Sequence, residues 1–442
     1  MKNLKLFKGQ QVFFIGIGGI SMSGLALIVL KNGAKVRGSD ITSNAEVKKL
    51  VGLGAEISIG HNGENIDKNI SLVVYSSAIH EDNPEILKAK ELGIRCIERA
   101  EFLGEIAGCY EKVIAIAGTH GKTTTTAIIG EMLKNAGLDP TIHLGGESIG
   151  LKGNTIIGAN EYFVVEACEY MESFRYLKPH VAVITNIELD HVDYYKDYDS
   201  IHSAFTRFAE NSDILIAHKD ARISHKNLSS VFRDWQVKHT EFVGNGYNFN
   251  VFFKEKYYAT FRLNMLGIHN VYNALFAIAV GFTLGISREV IENTLSGFMG
   301  VERRYQNIFT YPSGCRVIVD YAHHPTEIEK SVQGIKDIYN RTLYVFQPHT
   351  YSRTKELFAQ FQLVLSSLDN IVIFETYPAR ENEIIGGRAE DLFTVVNLKN
   401  KWYFDNNYEL MSFMRSKSTM YDCILVLGAG DLAEKLQDKL HK

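Results

Sequence analysis

At 442 residues the chain is long enough for about two to four domains, and 45% hydrophobic with 22% charged residues is an ordinary globular composition. Its formal net charge of −4 argues against a general nucleic-acid-binding protein. Five scattered cysteines form no Cys-x-x-Cys pair. This argues against a zinc site or a disulfide framework and favours a reducing, cytoplasmic location.

The longest apolar window, residues 12–30, predicts a strand, a tight turn and a helix. It contains four glycines and two serines, and no cleavage motif follows it. A signal peptide or a membrane span would lack these turn-forming residues, so we expect no membrane insertion.

The first predicted domain, residues 1–108, alternates short apolar strands with helices. The strands are predicted at Val12–Ile15, Ala34–Gly38, Glu56–Ile59, Leu72–Tyr75 and Arg95–Ile97. The helices are predicted at Ser23–Asn32, Ala45–Leu53 and Pro84–Leu92. Alternation at this spacing predicts a parallel, Rossmann-like sheet.

The turn after the first strand carries Gly16, Gly18 and Gly19, which resemble a dinucleotide-binding fingerprint with Ser21 in place of its third glycine. Asp40 follows the second strand, where an acidic residue bonds a ribose hydroxyl in such folds. We interpret this turn as a site for a nucleoside diphosphate. A purely structural tight turn is the alternative.

The second predicted domain, residues 109–297, begins with the most informative run of the chain. An apolar β-branched strand leads into Gly118, Thr119, His120, Gly121, Lys122, Thr123 and Thr124, and a helix follows. In such a loop the backbone N–H groups point at phosphate oxygens, the lysine reaches the terminal phosphates and the next hydroxyl ligates Mg²⁺. The run therefore predicts a shortened P-loop that binds a nucleoside triphosphate, with a glycine-rich turn before a threonine-rich helix cap as the alternative.

Polar residues follow two further strands of this domain, predicted at Tyr162–Glu166 and Val181–Asn186. Side chains at the carboxyl ends of parallel strands face the ligand crevice. A carboxylate and an imidazole beside a P-loop are able to hold Mg²⁺, so we predict Thr123, Glu166 and His191 as metal ligands. A surface carboxylate and a helix-capping histidine are the alternatives.

The third predicted domain, residues 298–442, has a second Rossmann-like pattern, in which apolar strands again lead into polar or glycine-rich loops. Its strands are predicted at Arg316–Asp320, Thr342–Phe346, Asn370–Phe374 and Ile424–Leu427. Each leads into a polar or glycine-rich loop, so we expect a functional edge here too. The adjacent pair His323 and His324, directly before Pro325, favours function over packing.

Taken together and in this order, these loops resemble the Mur ligase family over nearly the whole chain. The resemblance rests on Gly16–Gly19, Ser39-Asp40, Gly118–Thr124, Glu166–Tyr170, Thr185–His191, Arg303-Arg304, Asp320–Pro325 and Gln347–His349. It implies an α/β protein of three domains: an N-terminal Rossmann-like domain that binds UDP, a central P-loop ATPase α/β domain and a C-terminal Rossmann-like domain. It is strongest to the members that join L-alanine to UDP-N-acetylmuramate with ATP in the cytoplasm, through an acyl phosphate.

The resemblance also implies roles for individual residues. The ATP site comprises 118–124 with Asn270, Arg303, Asp320 and Tyr321. The UDP-sugar site comprises Gly16, Gly18, Gly19, Ser39, Asp40, Ser76, Ser77 and His349. Roles in catalysis go to Lys122, His191, His323 and Arg353. Two Mg²⁺ sites are implied, involving Thr123, Glu166 and His191.

Two departures from the family pattern stand out. Residues 200–210 contain no lysine, where several relatives carry a carbamylated lysine as a metal ligand, as expected for the alanine-adding type. Thr350 stands where some alanine-adding members have arginine. For partners we expect the two substrates only, no nucleic acid, and a monomer or homodimer.

Four rival functions remain. A murein-recycling ligase attaches a whole peptide to the same sugar nucleotide, and a folate polyglutamate ligase lacks the UDP-binding domain. A nicotinamide-dependent dehydrogenase would use the first domain but has no need of a P-loop. A non-enzymatic P-loop switch would not need polar strand ends in all three segments.

Overall fold

The computed structural model describes residues 7–159, 161–191, 194–379 and 381–440. It contains three β-sheets, one in each predicted segment. The first two sheets with their helices make up one compact unit, and the third sheet makes up another together with Val243–Tyr247 and Met265–Val271. Within the described part of the chain, every helix is too short or too polar to cross a membrane.

The first sheet is fully parallel, with strand order β3-β2-β1-β4-β5. Its strands are β1 Gln11–Ile15, β2 Lys35–Asp40, β3 Glu56–Ile59, β4 Leu72–Tyr75 and β5 Cys96–Glu98. Its helices are α1 Ile20–Lys31, α2 Ala45–Gly52, α3 Pro84–Glu91 and α4 Arg99–Ala107. The parallel sheet predicted for this segment is confirmed.

Local sequence explains where these helices begin. Asn44 and Asn83 cap α2 and α3, because each side chain accepts a hydrogen bond from a first-turn backbone N–H. Pro84 occupies the first position of α3, where its missing N–H costs nothing. Helix α1 is apolar along most of its length and is buried from Met22 to Val29.

The second sheet has ten strands in the order β15-β14-β13-β12-β11-β10-β6-β9-β7-β8. The strands are β6 Lys112–Ala117, β7 Thr141–Ser148, β8 Gly153–Ile156, β9 Tyr162–Glu166, β10 Val181–Ile184, β11 Ile214–His218, β12 Leu228–Val231, β13 Trp235–Val243, β14 Gly246–Phe253 and β15 Lys256–Leu263. The helices are α5 Lys122–Asn135, α6 Tyr198–Glu210, α7 Ile268–Thr283 and α8 Arg288–Gly297.

Sequence analysis predicts only the three buried central strands β6, β9 and β10. The other seven strands were not predicted: β11 is also short, apolar and buried, and several of the others have weaker patterns. Glycines interrupt β7, and most of the residues of β13 are exposed.

The third sheet has the order β16-β17-β21-β18-β19-β20 and is parallel except for the β16–β17 pair. Its strands are β16 Gln306–Thr310, β17 Arg316–Asp320, β18 Thr342–Phe346, β19 Ile371–Phe374, β20 Lys401–Phe404 and β21 Cys423–Leu427. Its helices are α9 Pro325–Lys336, α10 Tyr351–Glu356, α11 Phe358–Ser366, α12 Ala389–Val395, α13 Asn407–Lys417 and α14 Leu432–Leu440. The four predicted strands are present, and the two edge strands β16 and β20 are additional.

The β7–β8 hairpin of the second sheet packs on α1 of the first sheet through a buried histidine. His143 Nε2 lies 3.0 Å from Ser21 Oγ, and its Nδ1 lies 3.0 Å from Thr155 Oγ1. Asn154 Nδ2 donates to the Ile20 carbonyl at 2.9 Å. A Cβ at Gly24 would collide with His143 and Thr155, so the close approach of helix and hairpin requires glycine there.

Burial lowers the pKa of His143 from 6.5 to about 3, so the imidazole stays neutral at pH 7. A hydroxyl both donates and accepts, so Ser21 and Thr155 satisfy a neutral ring in either tautomer. The buried ring therefore needs no charged partner.

The pH dependence of stability should report this neutral histidine. Below pH 6.5 the unfolded chain binds a proton that folded His143 binds only near pH 3, so unfolding becomes easier as the pH falls through this range. The full effect is about 1.4 kcal/mol per pH unit. We expect urea denaturation between pH 7 and 5 to show a shallower loss of stability in His143→Gln than in the wild type; parallel pH profiles would contradict this.

Candidate active site

The P-loop forms as the sequence predicts, because strand β6 ends at Ala117 and helix α5 begins at Lys122. Gly121 precedes the helix with φ +81°, in the left-handed region that favours glycine. A Cβ at this position would collide with the side-chain amide of Asn273 on α7. The loop thus combines a positive φ with close packing, and both require glycine.

The loop is held by the segment that follows β10. Thr119 N donates to the Asn186 carbonyl at 3.2 Å, and His120 N donates to Asn186 Oδ1 at 2.9 Å. Asn186 Nδ2 in turn donates to the His120 carbonyl at 3.0 Å. Two amides expected to point at phosphate oxygens therefore donate to Asn186 in this structure.

Lys122 forms an ion pair with Glu169 that sequence analysis did not anticipate. Its Nζ lies 2.9 Å from Glu169 Oε1 and also donates to the carbonyls of Gly118 and Thr119, at 2.5 and 3.1 Å. Burial acts to lower the pKa of Lys122, but the negative charges of Glu169, Cys168 and Glu166 and the hydrogen bond to Glu169 together outweigh it, so the pKa is raised. Lys122 is therefore a fixed cation beside the loop.

Two of the three predicted metal ligands, Thr123 and Glu166, carry oxygen donors. Thr123 is half-buried in the first turn of α5, and Glu166 ends β9. Glu166 Oε2 accepts from Gly145 N at 3.0 Å, and among the described residues Glu166 Oε1 has no hydrogen-bond partner. A hydroxyl and an open carboxylate oxygen are hard donors that suit Mg²⁺.

His191 lies near the same carboxylate as Lys122. Its Nε2 is 3.8 Å from Glu169 Oε1, and its ring packs on Tyr170. The buried Glu169 Oε2 has no hydrogen-bond partner within the described residues. Among those residues there is no cluster of three or more His, Cys, Asp or Glu side chains arranged for a metal ion. Mg²⁺ commonly takes one or two carboxylates plus substrate phosphates, so the residues fit.

The turn of the first sheet gathers the predicted UDP-sugar residues. Gly16 N and Ile17 N donate to the Ser39 carbonyl at 2.8 and 3.0 Å. Gly18 N donates to Asp40 Oδ2 at 2.8 Å. Asp40, predicted to bond a ribose hydroxyl, thus also anchors the glycine turn.

Several other residues surround this turn. Gly19 N donates to the Gly16 carbonyl at 3.2 Å and closes the turn. Ser76 follows β4 and lies beside Gly16, close to the position that a Cβ there would take. Ser77 is exposed in the same loop. All the UDP-sugar residues predicted in the first domain therefore lie in or beside loops at the carboxyl ends of β1, β2 and β4.

In the third sheet, the predicted residues form a continuous series of contacts. The Arg303 guanidinium lies 5.0 Å from the centre of the Tyr321 ring. That ring is 5.3 Å from His323, and His323 is 5.8 Å from His349. Arg353 Nη1 completes the series, 3.2 Å from His349 Nδ1. Side chains from widely separated loops thus meet at one edge of this sheet.

Asp320 and Asn270, both predicted to contact ATP, form hydrogen bonds with other groups of the protein. Buried Asp320 accepts from Tyr305 N, Ala322 N and Ser331 Oγ at 3.1, 3.1 and 2.7 Å. Burial raises its pKa. Asn270 Nδ2 donates to the Leu266 carbonyl at 2.8 Å, in the first turn of α7. The ATP contacts predicted for both residues stay predictions.

The two histidines of the third-sheet cluster are neutral bases. Burial lowers the pKa of His323, and burial together with neighbouring His323 and Arg353 lowers the pKa of His349 to about 4. His323 Nδ1 lies 2.9 Å from the Tyr321 carbonyl, so it is the donor there. Neutral imidazoles beside the Arg353 cation give the cluster hydrogen-bonding groups for a carboxylate or an amine.

Known protein families and relatives match this chain along most of its length. Models of the Mur ligase family match residues 11–110 (catalytic domain), 116–281 (middle domain) and 303–430 (glutamate ligase domain). A relative from Caldanaerobacter subterraneus, named UDP-N-acetylmuramate–L-alanine ligase, is 39% identical over 98% of this chain and 97% of its own. The chain belongs to the Mur ligase family. A relative of the same name from Clostridium tetani is 41% identical over 96% of each chain.

Solved structures of Mur ligases agree with this assignment. The UDP-N-acetylmuramate–alanine ligase MurC of Thermotoga maritima matches with a TM-score of 0.84 and 29% identity, over 98% of each chain. A murein peptide ligase of Psychrobacter arcticus matches with a TM-score of 0.70 over 98% of each chain, but at 24% identity it indicates the fold alone. The predicted three-domain α/β fold is confirmed.

Glu169 is the site residue that sequence analysis missed in this Mur ligase. It follows closely after Glu166, the last residue of β9. The polar run Glu166–Glu169 is the only sign in the sequence that Glu169 has a role. Glu166 was predicted as a metal ligand, whereas Glu169 was given no role. In the structure they differ sharply, because Glu166 faces Gly145 N and Glu169 pairs with Lys122.

Proposed function

We propose that this chain joins L-alanine to the carboxylate of UDP-N-acetylmuramate, converting ATP to ADP and phosphate, in the cytoplasmic synthesis of peptidoglycan precursors. The observation that carries the proposal is the 39–41% identity to ligases of that name across nearly the whole chain, first sheet included. A shared P-loop domain alone would not distinguish among acceptors.

The reaction needs ATP because a carboxylate is a poor acyl donor. Direct attack by an amine would have to expel oxide, whereas the γ-phosphoryl group converts the carboxylate oxygen into a phosphate leaving group. Catalysis of that transfer is largely positioning and charge stabilisation. Lys122, held as a cation beside Gly118 and Glu169, supplies positive charge at the phosphoryl group.

Thr123 and Glu166 would hold a Mg²⁺ ion, and His191 would contribute to a second. The metal supplies Lewis-acid stabilisation of charge on the phosphate oxygens. Glu166 has one oxygen fixed by Gly145 N, which orients the other. Lys122 and Glu169 form a buried pair that keeps the cation in place when no phosphate neutralises it.

The amide bond forms when the neutral amine of L-alanine attacks the acyl phosphate. The tetrahedral oxyanion then collapses and releases phosphate. His323, His349 and Arg353 position the amino acid or the muramoyl carboxylate. The guanidinium of Arg353 suits a carboxylate because its donors match the two oxygens.

The remaining assignments are part of the same proposal. ATP uses 118–124 with Asn270, Arg303, Asp320 and Tyr321. The UDP-sugar uses Gly16, Gly18, Gly19, Ser39, Asp40, Ser76, Ser77 and His349. The domain boundaries lie near residues 108 and 297. The protein acts in the cytoplasm as a monomer or homodimer.

Phosphate release from ATP tests the proposal directly. With UDP-N-acetylmuramate and Mg²⁺ present, we expect release to depend on L-alanine and to exceed that with glycine, L-serine or a muropeptide tripeptide. The amide product should appear in equal amount. A reaction without Mg²⁺ shows whether release depends on the metal that these residues are proposed to bind.

Other outcomes would assign the chain differently. Release with the tripeptide alone would make it a murein-recycling ligase. No release with any acceptor would contradict the ligase function and leave a P-loop binding module.

A further inference from the structure

Glu381 lies at the centre of a hydrogen-bond cluster that the chemistry above does not use. Its Oε1 accepts from Thr350 Oγ1 at 2.7 Å and from Ser352 Oγ at 2.5 Å. Its Oε2 accepts from Ser352 N at 2.9 Å. Both carboxylate oxygens thus bind the short segment that enters helix α10.

The same segment carries two residues of the third-sheet cluster. Arg353 Nη1 donates to the His349 carbonyl at 3.0 Å and contacts the His349 ring. The His349 ring in turn stacks on Tyr377 at 5.5 Å. Thr350 and Ser352 bind Glu381 and lie between His349 and Arg353 in the sequence. A shift of the Glu381 carboxylate would therefore move His349 and Arg353 together.

We propose that Glu381 is a positioning residue that fixes the 349–353 segment so that the Arg353 guanidinium receives a substrate carboxylate. This inference rests on the proposed function. The carboxylate belongs either to L-alanine or to the muramoyl group, and kinetic constants distinguish the two sources.

The charges of the cluster support this role. Within the described residues, no carboxylate lies within 4.0 Å of the Arg353 guanidinium, so its charge is available to a ligand. The pKa of Glu381 is lowered from its usual value. Burial acts to raise it, but the hydrogen bonds from Ser352 and Thr350 outweigh burial. The carboxylate therefore stays ionised, and neutral donors satisfy it.

Thr350 acquires a clear role in this arrangement. Some alanine-adding relatives carry arginine at this position, which left the function of Thr350 open. Here its hydroxyl donates to Glu381, so the residue acts on the segment rather than on a substrate.

The test compares Glu381→Ala and Glu381→Gln with Glu383→Gln as a matched control. Glu383 lies in the same loop but is exposed, and its carboxylate lies 3.5 Å from the Arg388 guanidinium. We expect Glu381→Ala to raise KM for L-alanine or for UDP-N-acetylmuramate by about 10- to 100-fold, because small misplacements of binding groups are costly. KM for ATP should change by less than about twofold, and the effect of Glu381→Gln should be smaller because one oxygen remains.

A second variant controls for a general loss of folding stability in Glu381→Ala. Thr350→Val with Ser352→Ala removes the two hydroxyl donors and leaves the carboxylate in place. It should raise the same KM, and combining it with Glu381→Ala should add little, as for residues that act as one unit. The substrate whose KM rises is the one whose carboxylate Arg353 receives.

Four outcomes would overturn the proposal. Unchanged KM values in Glu381→Ala, or fully additive effects in the combined variant, would remove the positioning role. Equal changes in every KM and in kcat would make Glu381 merely structural. Wild-type protein that turns over no acceptor would overturn the proposed function itself, and the positioning role with it.

Discussion

Replacing Lys122 with alanine should abolish phosphoryl transfer while UDP-N-acetylmuramate still binds. The variant loses the cation beside the P-loop, and removing one charge-stabilising group costs about 100- to 1,000-fold or more in rate. The UDP-sugar turn of Gly16–Gly19 depends on Ser39 and Asp40 and not on Lys122. Phosphate release and calorimetric binding of the sugar nucleotide measure the two effects separately.

Lys134→Ala is the matched control, since Lys134 lies on the same helix and is exposed. It should retain both activities. Loss of sugar-nucleotide binding in Lys122→Ala would indicate misfolding, and retained ATP turnover would contradict the role of Lys122.

Replacing Glu169 with alanine should cause a large loss of stability. The Glu169 side chain is 1% exposed and the Lys122 side chain 15%, so the variant leaves a largely buried cation without its counter-charge. Breaking a buried ion pair from one side costs about 3–5 kcal/mol in the free energy of unfolding. Urea denaturation measures the loss.

Two further variants test the cause of this loss. Glu161→Ala breaks the exposed pair with Lys112 and should cost no more than about 1 kcal/mol. The double variant Lys122→Ala with Glu169→Ala should be less destabilised than the sum of the single variants, because neither charge is stranded. Additive losses would show that the pair contributes no specific coupling.

Much of the fold was predictable because each central strand is a short apolar run between turn signals. β1, β6, β10 and β21 are examples, and the loops after them are the predicted polar or glycine-rich loops. The P-loop was predictable because its glycine-lysine-threonine spacing is a local requirement of phosphate binding.

The missing parts depend on contacts between residues far apart in sequence. The bonds from Lys122 to Glu169 and from Thr350 to Glu381 span 47 and 31 residues. No local periodicity marks such pairs. The contact between Ser21 and His143 spans 122 residues, and nothing in either segment distinguishes the buried histidine from an exposed one.

The packing of the β7–β8 hairpin on α1 has a consequence for recombination between relatives. A first domain cut out at residue 108 would lose the partners of Ser21 and Ile20 and uncover Gly24. A chimaera made at that boundary would pack helix α1 of one relative against the β7–β8 hairpin of another. These two surfaces would not have evolved together. The piece that can be exchanged as a block is therefore the first domain plus this hairpin, which are not contiguous in sequence.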